Sequence, residues 1–276
     1  GGGGIVNFGE LSIADSTFSN NFGAHGGGIS SFSGSILTVT NSTLSGNNAD
    51  WGGGIINWGS IALINSTFSG NSANWGGGIL NDSGEITTIN TIVAKSLTGD
   101  DCVGSITDGG HNISSDDTCG FDPANGSMPN TDPMLGPLQD NGGPTWTQAL
   151  LEGSPAIDAG DNAQCPDTDQ RGIPRPLDGD GDGEAVCDIG AYEFQQGIYL
   201  YPEAPSGEGA LGSTISYTLT LYNWTPLTDS YTLALGVHAW DASLSTGMIG
   251  PLEPGTSQTF TASVTIPAGA PWYMTD

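Results

Sequence analysis

Four times the chain reads Gly-Gly-Gly-Ile, at 2–5, 26–29, 52–55 and 76–79, a nearly constant step. Two further signatures keep the same register. Ser16-Thr17-Phe18 returns as Ser42-Thr43-Leu44 and Ser66-Thr67-Phe68, with Asn90-Thr91-Ile92 as a worn fourth copy. Asn21, Asn47 and Asn71 each follow the apolar residue of that motif by three positions. A period in the twenties is the mark of a solenoid. Leucine-rich repeats need spaced Leu and a helical segment. Here β-branched residues alternate with small polar ones, and Leu11-Ser12-Ile13, Ile36-Leu37-Thr38-Val39 and Ile61-Ala62-Leu63-Ile64 read as short strands.

The spacing therefore predicts a parallel β-helix over 1–98, with about three strands per coil and coils stacked at about 4.8 Å. One coil cannot bury its own inward row; stacked coils bury a continuous core. Gly triplets supply positive φ and close backbone approach at a turn. Asn21, Asn47 and Asn71 are expected to form a ladder of side-chain hydrogen bonds, and Phe18, Leu44 and Phe68 to stack inside. Trp51 and Trp75 precede their triplets as His25 does in the coil before. They read as an external or corner stack, or as an aromatic strip that meets a ligand.

The charge balance narrows the partners. Lys plus Arg is 3 against 30 Asp plus Glu, a net charge of −27. The whole basic inventory is Lys95, Arg171 and Arg175. Phosphate contacts need clustered basic residues, so no nucleic acid is expected as a partner, and an anionic membrane surface repels the chain. No apolar run approaches the length that a membrane span needs, so no direct membrane insertion is expected. No signal-peptide pattern is present, and the chain starts in mid-repeat, as a mature or partial piece of a longer protein does. Cys102, Cys119, Cys165 and Cys187 are an even set in two local pairs. Disulfides 102–119 and 165–187, one of three connectivities, are preferred because each closes a short loop; buried free thiols are the alternative. Disulfides imply an oxidising, extracellular setting.

Beyond Lys95 the repeat decays. Residues 99–196 read as an irregular, disulfide-tied end laid over the β-helix terminus, with Pro129, Pro133, Pro137 and Pro144 in it. Within it lie Gly-Ser-Pro-Ala-Ile-Asp-Ala-Gly (153–160), Asp-Gln-Arg-Gly-Ile-Pro-Arg-Pro (169–176) and Cys-Asp-Ile-Gly-Ala-Tyr-Glu-Phe (187–194). With the upstream glycine repeats, residues 1–194 resemble secreted bacterial surface proteins of the polymorphic outer-membrane protein type, in particular those ending in a choice-of-anchor domain. The resemblance implies a right-handed β-helix, secretion and an adhesive or surface-structural role. It carries over no catalytic residue.

Asp178-Gly179-Asp180-Gly181-Asp182-Gly183 places carboxylates at positions 1, 3 and 5 and Gly at 6, the first half of a calcium loop. Ile189 stands where the loop's bidentate Glu belongs, with Glu184 and Asp188 nearby as substitutes. The candidate metal ligands are thus Asp178, Asp180, Asp182 and Asp188, with calcium in a structural role; an acidic surface turn is the alternative. Arg171 and Arg175 are expected to pair with carboxylates among Asp158, Asp169 and Glu193.

Residues 197–276 change character. Long alternating runs at 214–221, 231–235 and 259–267, with turn signals at Pro226, Gly247, Pro254-Gly255 and Pro267, read as an immunoglobulin-like β-sandwich. On the stretch 252–260, residues 198–276 resemble bacterial Ig-like modules appended to secreted enzymes and surface proteins. Because Trp272 to Asp276 follow so soon, the sandwich is expected to lack its last strand.

The fold class is therefore all-β, a right-handed parallel β-helix followed by an Ig-like sandwich. The expected function is a non-enzymatic extracellular structural or adhesive surface protein that self-associates end to end as a filament or stalk. A carbohydrate-binding adhesin that meets cell-surface or matrix glycans is the second reading. A β-helix polysaccharide lyase or hydrolase is the third; it needs a base or a carboxylate pair on one face. The coils offer Lys95 and the non-equivalent Glu10, Asp15, Asp50, Asp82 and Glu85, while His25, His111 and His238 lack a partner motif. Six Asn-x-Ser/Thr sequons begin at Asn41, Asn65, Asn81, Asn112, Asn125 and Asn223. Those in the coils are expected to serve the ladder rather than carry sugar.

Overall fold

The computed structural model describes residues 2–195, 197–201, 209–223, 228–236, 240–253 and 256–269. Pro226, Pro254-Gly255, His238 and the 272–276 end lie outside the described residues. The chain divides into two compact units, Gly1–Phe194 and Gln195–Asp276. Neither contains an α-helix among the described residues; one 3₁₀ turn spans Pro123–Asn125.

The first unit is a parallel β-solenoid with three faces. The first face stacks Ile5–Asn7, Ile29–Ser31, Ile55–Asn57, Ile79–Asn81 and Cys102–Val103. The second stacks Glu10–Ala14, Ile36–Thr40, Ser60–Ile64, Glu85–Ile89 and Thr107–Asp108. The third stacks Thr17–Ser19, Thr43–Ser45, Thr67–Ser69, Ile92–Ala94 and Ile113–Ser114. Each strand pairs in parallel with its equivalent one coil away. The three strands expected at 11–13, 36–39 and 61–64 are successive rungs of the second face.

The glycine triplets form a column. Gly4 N–H donates to Gly27 O, Gly28 N–H to Gly53 O, and Gly54 N–H to Gly77 O, at 3.2, 3.1 and 3.0 Å. Gly26, Gly52 and Gly76 have φ of +62, +64 and +61°, which an L side chain rarely adopts. A Cβ on Gly28 or Gly54 would come within 2.7 and 2.5 Å of the next coil's carbonyl, so only glycine lets the coils close at this corner. Inside, Ile29, Ile55 and Ile79 stack in register and share one buried core with Leu37, Val39, Leu44, Leu63 and Phe68.

The structure corrects the fourth copy of the third-face motif. Thr67 pairs with Ile92 and Phe68 with Val93, so the true copy is Thr91-Ile92-Val93. The step from Ile64 to its partner Ile89 is longer by a single position than the step from Asn57 to its partner Asn81. The extra residue enters in the turn at 82–84. Because side chains alternate across a strand, a slip of one residue exchanges the inward and outward rows. Val93 therefore joins the core below Phe68, and Ile92 faces out.

Two expectations for 99–196 are also corrected. Residues 102–114 continue the solenoid as a partial fifth coil rather than forming an irregular excursion. Cys102 takes the inward slot below Ile79, and Cys119 and Phe121 close the core under it. From about residue 131 to 194 the chain lies along the third face, not over the terminus. Ile92, Ala94 and Ile113, all outward on that face, pack there against Leu135, Leu150, Ala156, Ile189 and Tyr192. Outward apolar residues need such a cover, which fixes where this strap lies.

The second unit holds an antiparallel sheet in the order Ile198–Tyr201, Thr214–Asn223, Thr256–Thr265, Asp241–Leu244, and a pair Asp229–Thr232 with Met248–Leu252. Leu219, Leu221 and Phe260 of the first share an apolar cluster with Ile249 and Leu252 of the second. The run at 214–221 and residues 259–265 of the run at 259–267 fall on the two long strands, whereas Leu233–Leu235 follow a strand that ends at Thr232.

Candidate functional site

The strap is held by the solenoid's repeats. At the corner between the second and third faces, Asp15, Asn41, Asn65 and Asn90 all have left-handed φ, between 43 and 49°. That conformation suits Asn and Asp, and it frees their side chains to point outward. Asn41 Nδ2 donates to Thr168 O at 2.7 Å, Asn65 Nδ2 to Asp188 O at 3.2 Å, and Asn90 Nδ2 to Asp161 O at 3.2 Å. On the third face, Thr43 Oγ1 donates to Gln170 Oε1 at 2.6 Å, and Gln170 Nε2 donates to Thr17 Oγ1 at 2.8 Å. Thr67 Oγ1 accepts from Ala191 N–H at 3.0 Å. The corner that reads as a ladder slot is thus chiefly a docking row; one ladder bond, Asn90 Nδ2 to Asn65 Oδ1 at 3.2 Å, joins two of its members.

The ladder expected at Asn21, Asn47 and Asn71 is present. Asn21 Nδ2 donates to Asn47 Oδ1 at 2.9 Å, and Asn47 Nδ2 to Asn71 Oδ1 at 3.0 Å. A second ladder, not singled out from the sequence, joins Asn57 Nδ2 to Asn81 Oδ1 at 3.0 Å. Its signal was there: Asn7, Asn57 and Asn81 end equivalent strands, with Ser31 in the second coil.

Both disulfides form as Cys102–Cys119 and Cys165–Cys187, with Cα atoms 4.8 and 6.7 Å apart. The second ties two parts of the strap beside Asn65 and Asn90. Such bonds fit an oxidising, extracellular environment. No helix among the described residues is long and apolar enough to cross a membrane.

The motif segments at 153–194 meet in a buried charge cluster. Arg171 pairs with Asp169 (2.7 Å), donates to Glu193 O (2.6 Å), and stacks over the Tyr192 ring at 3.6 Å. Arg175 faces Glu193 at 3.3 Å, an ion pair in which its Nε makes no hydrogen bond, and donates to Gly190 O at 2.8 Å. The Arg–carboxylate pairs expected from sequence thus use Asp169 and Glu193, not Asp158. Asp188 is fully buried; its carboxylate accepts from the Asp158 and Phe194 N–H groups. Three acids and two bases share this interior. Burial, and then the neighbouring Glu193 charge, push the Asp188 carboxyl well above the usual range. Burial pushes Glu193 up to about 7, although Arg175 and the Asp188 and Leu177 N–H groups pull the other way. Asp188 is therefore part of the structural cluster and lies outside the acidic group described next.

Asp178 and Asp180 come together with Asp158, their carboxylate oxygens all within 4.8 Å, in an arrangement that can hold a metal ion. Asp182 is not in that group; its carboxylate accepts from Glu184 N–H at 2.8 Å. Asp158 N–H donates to Asp188, and the Asp158 carboxylate accepts from Gly179 and Asp180 N–H at 2.9 and 2.7 Å. Burial raises its pKa, and Asp180 and Asp178 add to that against the two N–H groups. Sequence reasoning missed Asp158 because it lies well before Asp178 along the chain, and only the strap's fold brings it to the loop.

Aromatic side chains edge the first face. Phe8 stacks on Phe32 at 4.6 Å, Phe32 meets Trp58 at 5.1 Å with the rings tilted by 36°, and Trp58 Nε1 donates to Asp82 Oδ2 at 2.6 Å. At the opposite corner Trp51 and Trp75 are paired in register, their rings 6.5 Å apart and 21° from parallel. His25 holds the preceding place and reaches within 6.0 Å of Trp58. Of the sequon asparagines, Asn41, Asn65, Asn81, Asn112 and Asn223 are buried, and Asn125 is exposed.

Comparison with protein-family models, with curated proteins and with solved structures finds no match to this chain.

Proposed function

We propose that this protein is an extracellular, non-catalytic structural and adhesive surface protein. In this reading a right-handed β-helix of the polymorphic outer-membrane protein kind forms a rigid rod, an Ig-like sandwich follows it, and subunits associate end to end as a filament or stalk. The observation that carries the reading is the use to which the chain puts its charged side chains. Asp169, Arg171, Arg175, Asp188 and Glu193, a dense acid–base group, are buried and hold the segments of the strap to one another. Groups committed to mutual pairing in a dry interior are unsuited to exchanging protons with a substrate. The two disulfides and the laddered amides suit a rod that must persist outside the cell. Calcium bound by Asp158, Asp178 and Asp180 would add a structural cross-link at the strap's acidic loop.

Electron microscopy of native material tests the filament: fibres with an axial repeat support it, and isolated particles overturn it. Surface shaving with protease on intact cells tests the location; release of peptides from 1–194 supports it. The adhesin reading draws its support from the exposed Trp51 and Trp75.

A further inference from the structure

We propose that Trp51 and Trp75 form a platform for a neutral polysaccharide, which lies along the solenoid axis with adjacent sugar rings against adjacent indoles. This deepens the adhesive part of the function proposed above and rests on it.

The aromatic rows flanking the first face differ in what they leave free. In the Phe8–Phe32–Trp58 row the rings lie 4.6 and 5.1 Å apart, Phe32 and Trp58 are half-buried so that only the terminal Phe8 is exposed, and the Trp58 N–H is already spent on Asp82. That row is a wall. Trp51 and Trp75 are 6.5 Å apart and near parallel, yet remain 44% and 57% exposed. Their indole N–H groups make no hydrogen bond among the described residues, so each offers an apolar face and a spare donor. Trp is costly to leave in water, and two in register are not needed to turn the chain, since His25 fills the same slot one coil earlier. The backbone N–H and C=O groups at this corner are spent between coils: Gly52 N–H donates to Trp75 O at 2.9 Å and Gly26 N–H to Trp51 O at 2.8 Å. Recognition here therefore falls to side chains. Asp50 and Asn74, each one residue before a Trp, are exposed and can accept or donate to hydroxyls.

Charge selects the class of glycan. The chain carries −27, and each of its three cations is already paired: Lys95 with Asp132, Arg171 with Asp169, Arg175 with Glu193. A uronate or sulfated chain would find no unpaired cation and a repulsive field. A neutral chain meets neither cost, and its ring C–H faces match flat aromatic surfaces presented one coil apart.

The test is tryptophan-fluorescence titration of the full chain with neutral β-linked glucose and N-acetylglucosamine oligomers of increasing length, and with polygalacturonate. The expected result is saturable binding of at least one neutral series, tighter once the oligomer spans both indoles, and none of polygalacturonate. Trp51→Ala and Trp75→Ala should each weaken binding by about tenfold, the size of one lost aromatic contact. Unchanged circular dichroism in both variants keeps the result on the site. Equal affinity in the variants, or tighter binding of polygalacturonate, overturns the proposal, as does failure of every neutral oligomer to bind. A protein shown to be a surface filament that binds none of them would lose the platform and keep the structural role.

Discussion

Asn47→Ala should be among the most costly single changes in the solenoid. The residue is fully buried in the middle of its ladder. Its Nδ2 donates to Asn71 Oδ1 at 3.0 Å and to Phe18 O at 2.9 Å. Its Oδ1 accepts the Asn21 N–H at 3.0 Å and Asn21 Nδ2 at 2.9 Å. Alanine removes all four bonds. At about 1 kcal/mol net per bond, and more for a group left buried without a partner, the loss comes to about 4 kcal/mol. Asn21→Ala removes a single side-chain bond, to Asn47 Oδ1, and should cost about 1 kcal/mol. Asn47→Leu fills the space but makes none of the bonds and should be nearly as damaging as Asn47→Ala, which separates polar satisfaction from cavity formation. Guanidinium unfolding in oxidising buffer, followed by circular dichroism, measures all three. If Asn47→Ala lies within about 1 kcal/mol of Asn21→Ala, the ladder is not what locks these coils together.

Four further outcomes are expected. The Glu193 pKa is about 7 in the folded protein against 4.5, so between those values the fold holds a proton that the unfolded chain has released; this group should lower stability by about 3 kcal/mol as pH rises across that window, the raised Asp188 carboxyl beside it adds a loss of the same sign, and Glu193→Gln should reduce the slope. A flat wild-type profile from pH 5 to pH 7 in high salt, where surface repulsion is screened, would refute this. Replacing Cys165 and Cys187 by Ala opens a loop of sequence separation 22 and should cost about 3 kcal/mol, with new proteolytic cuts between 161 and 187 while the coils stay protected; an unchanged digestion pattern counts against it. Thr88 occupies an inward slot equivalent to Val39 and Leu63, and its Oγ1 has no partner, so Thr88→Val should stabilise by about 1 kcal/mol in the same denaturation assay. Millimolar calcium should raise the thermal midpoint of the wild type but not of Asp158→Asn by scanning calorimetry, and an equal rise in both would remove Asp158 from the site.

Much of the solenoid was legible in the sequence because a repeating structure writes the same constraint once per coil. The glycine triplets, the Asn21–Asn47–Asn71 ladder and the inward Phe18, Leu44 and Phe68 recur at equivalent places because stacked coils give each residue the same neighbours. The two disulfide pairings followed from their short separations.

What the repeat does not write had to come from tertiary structure. One added residue in a turn moved Val93 rather than Ile92 into the core, and single-residue register is invisible where the motif itself is worn. The path of the strap has no period at all. It is decided by where outward Ile92, Ala94 and Ile113 need cover and where Asn41, Asn65 and Asn90 offer amides. The acidic site shifted for the same reason: Asp188 was drawn into the interior and Asp158 took its place, because folding joins carboxylates by the path of the chain through space and not by their distance along it.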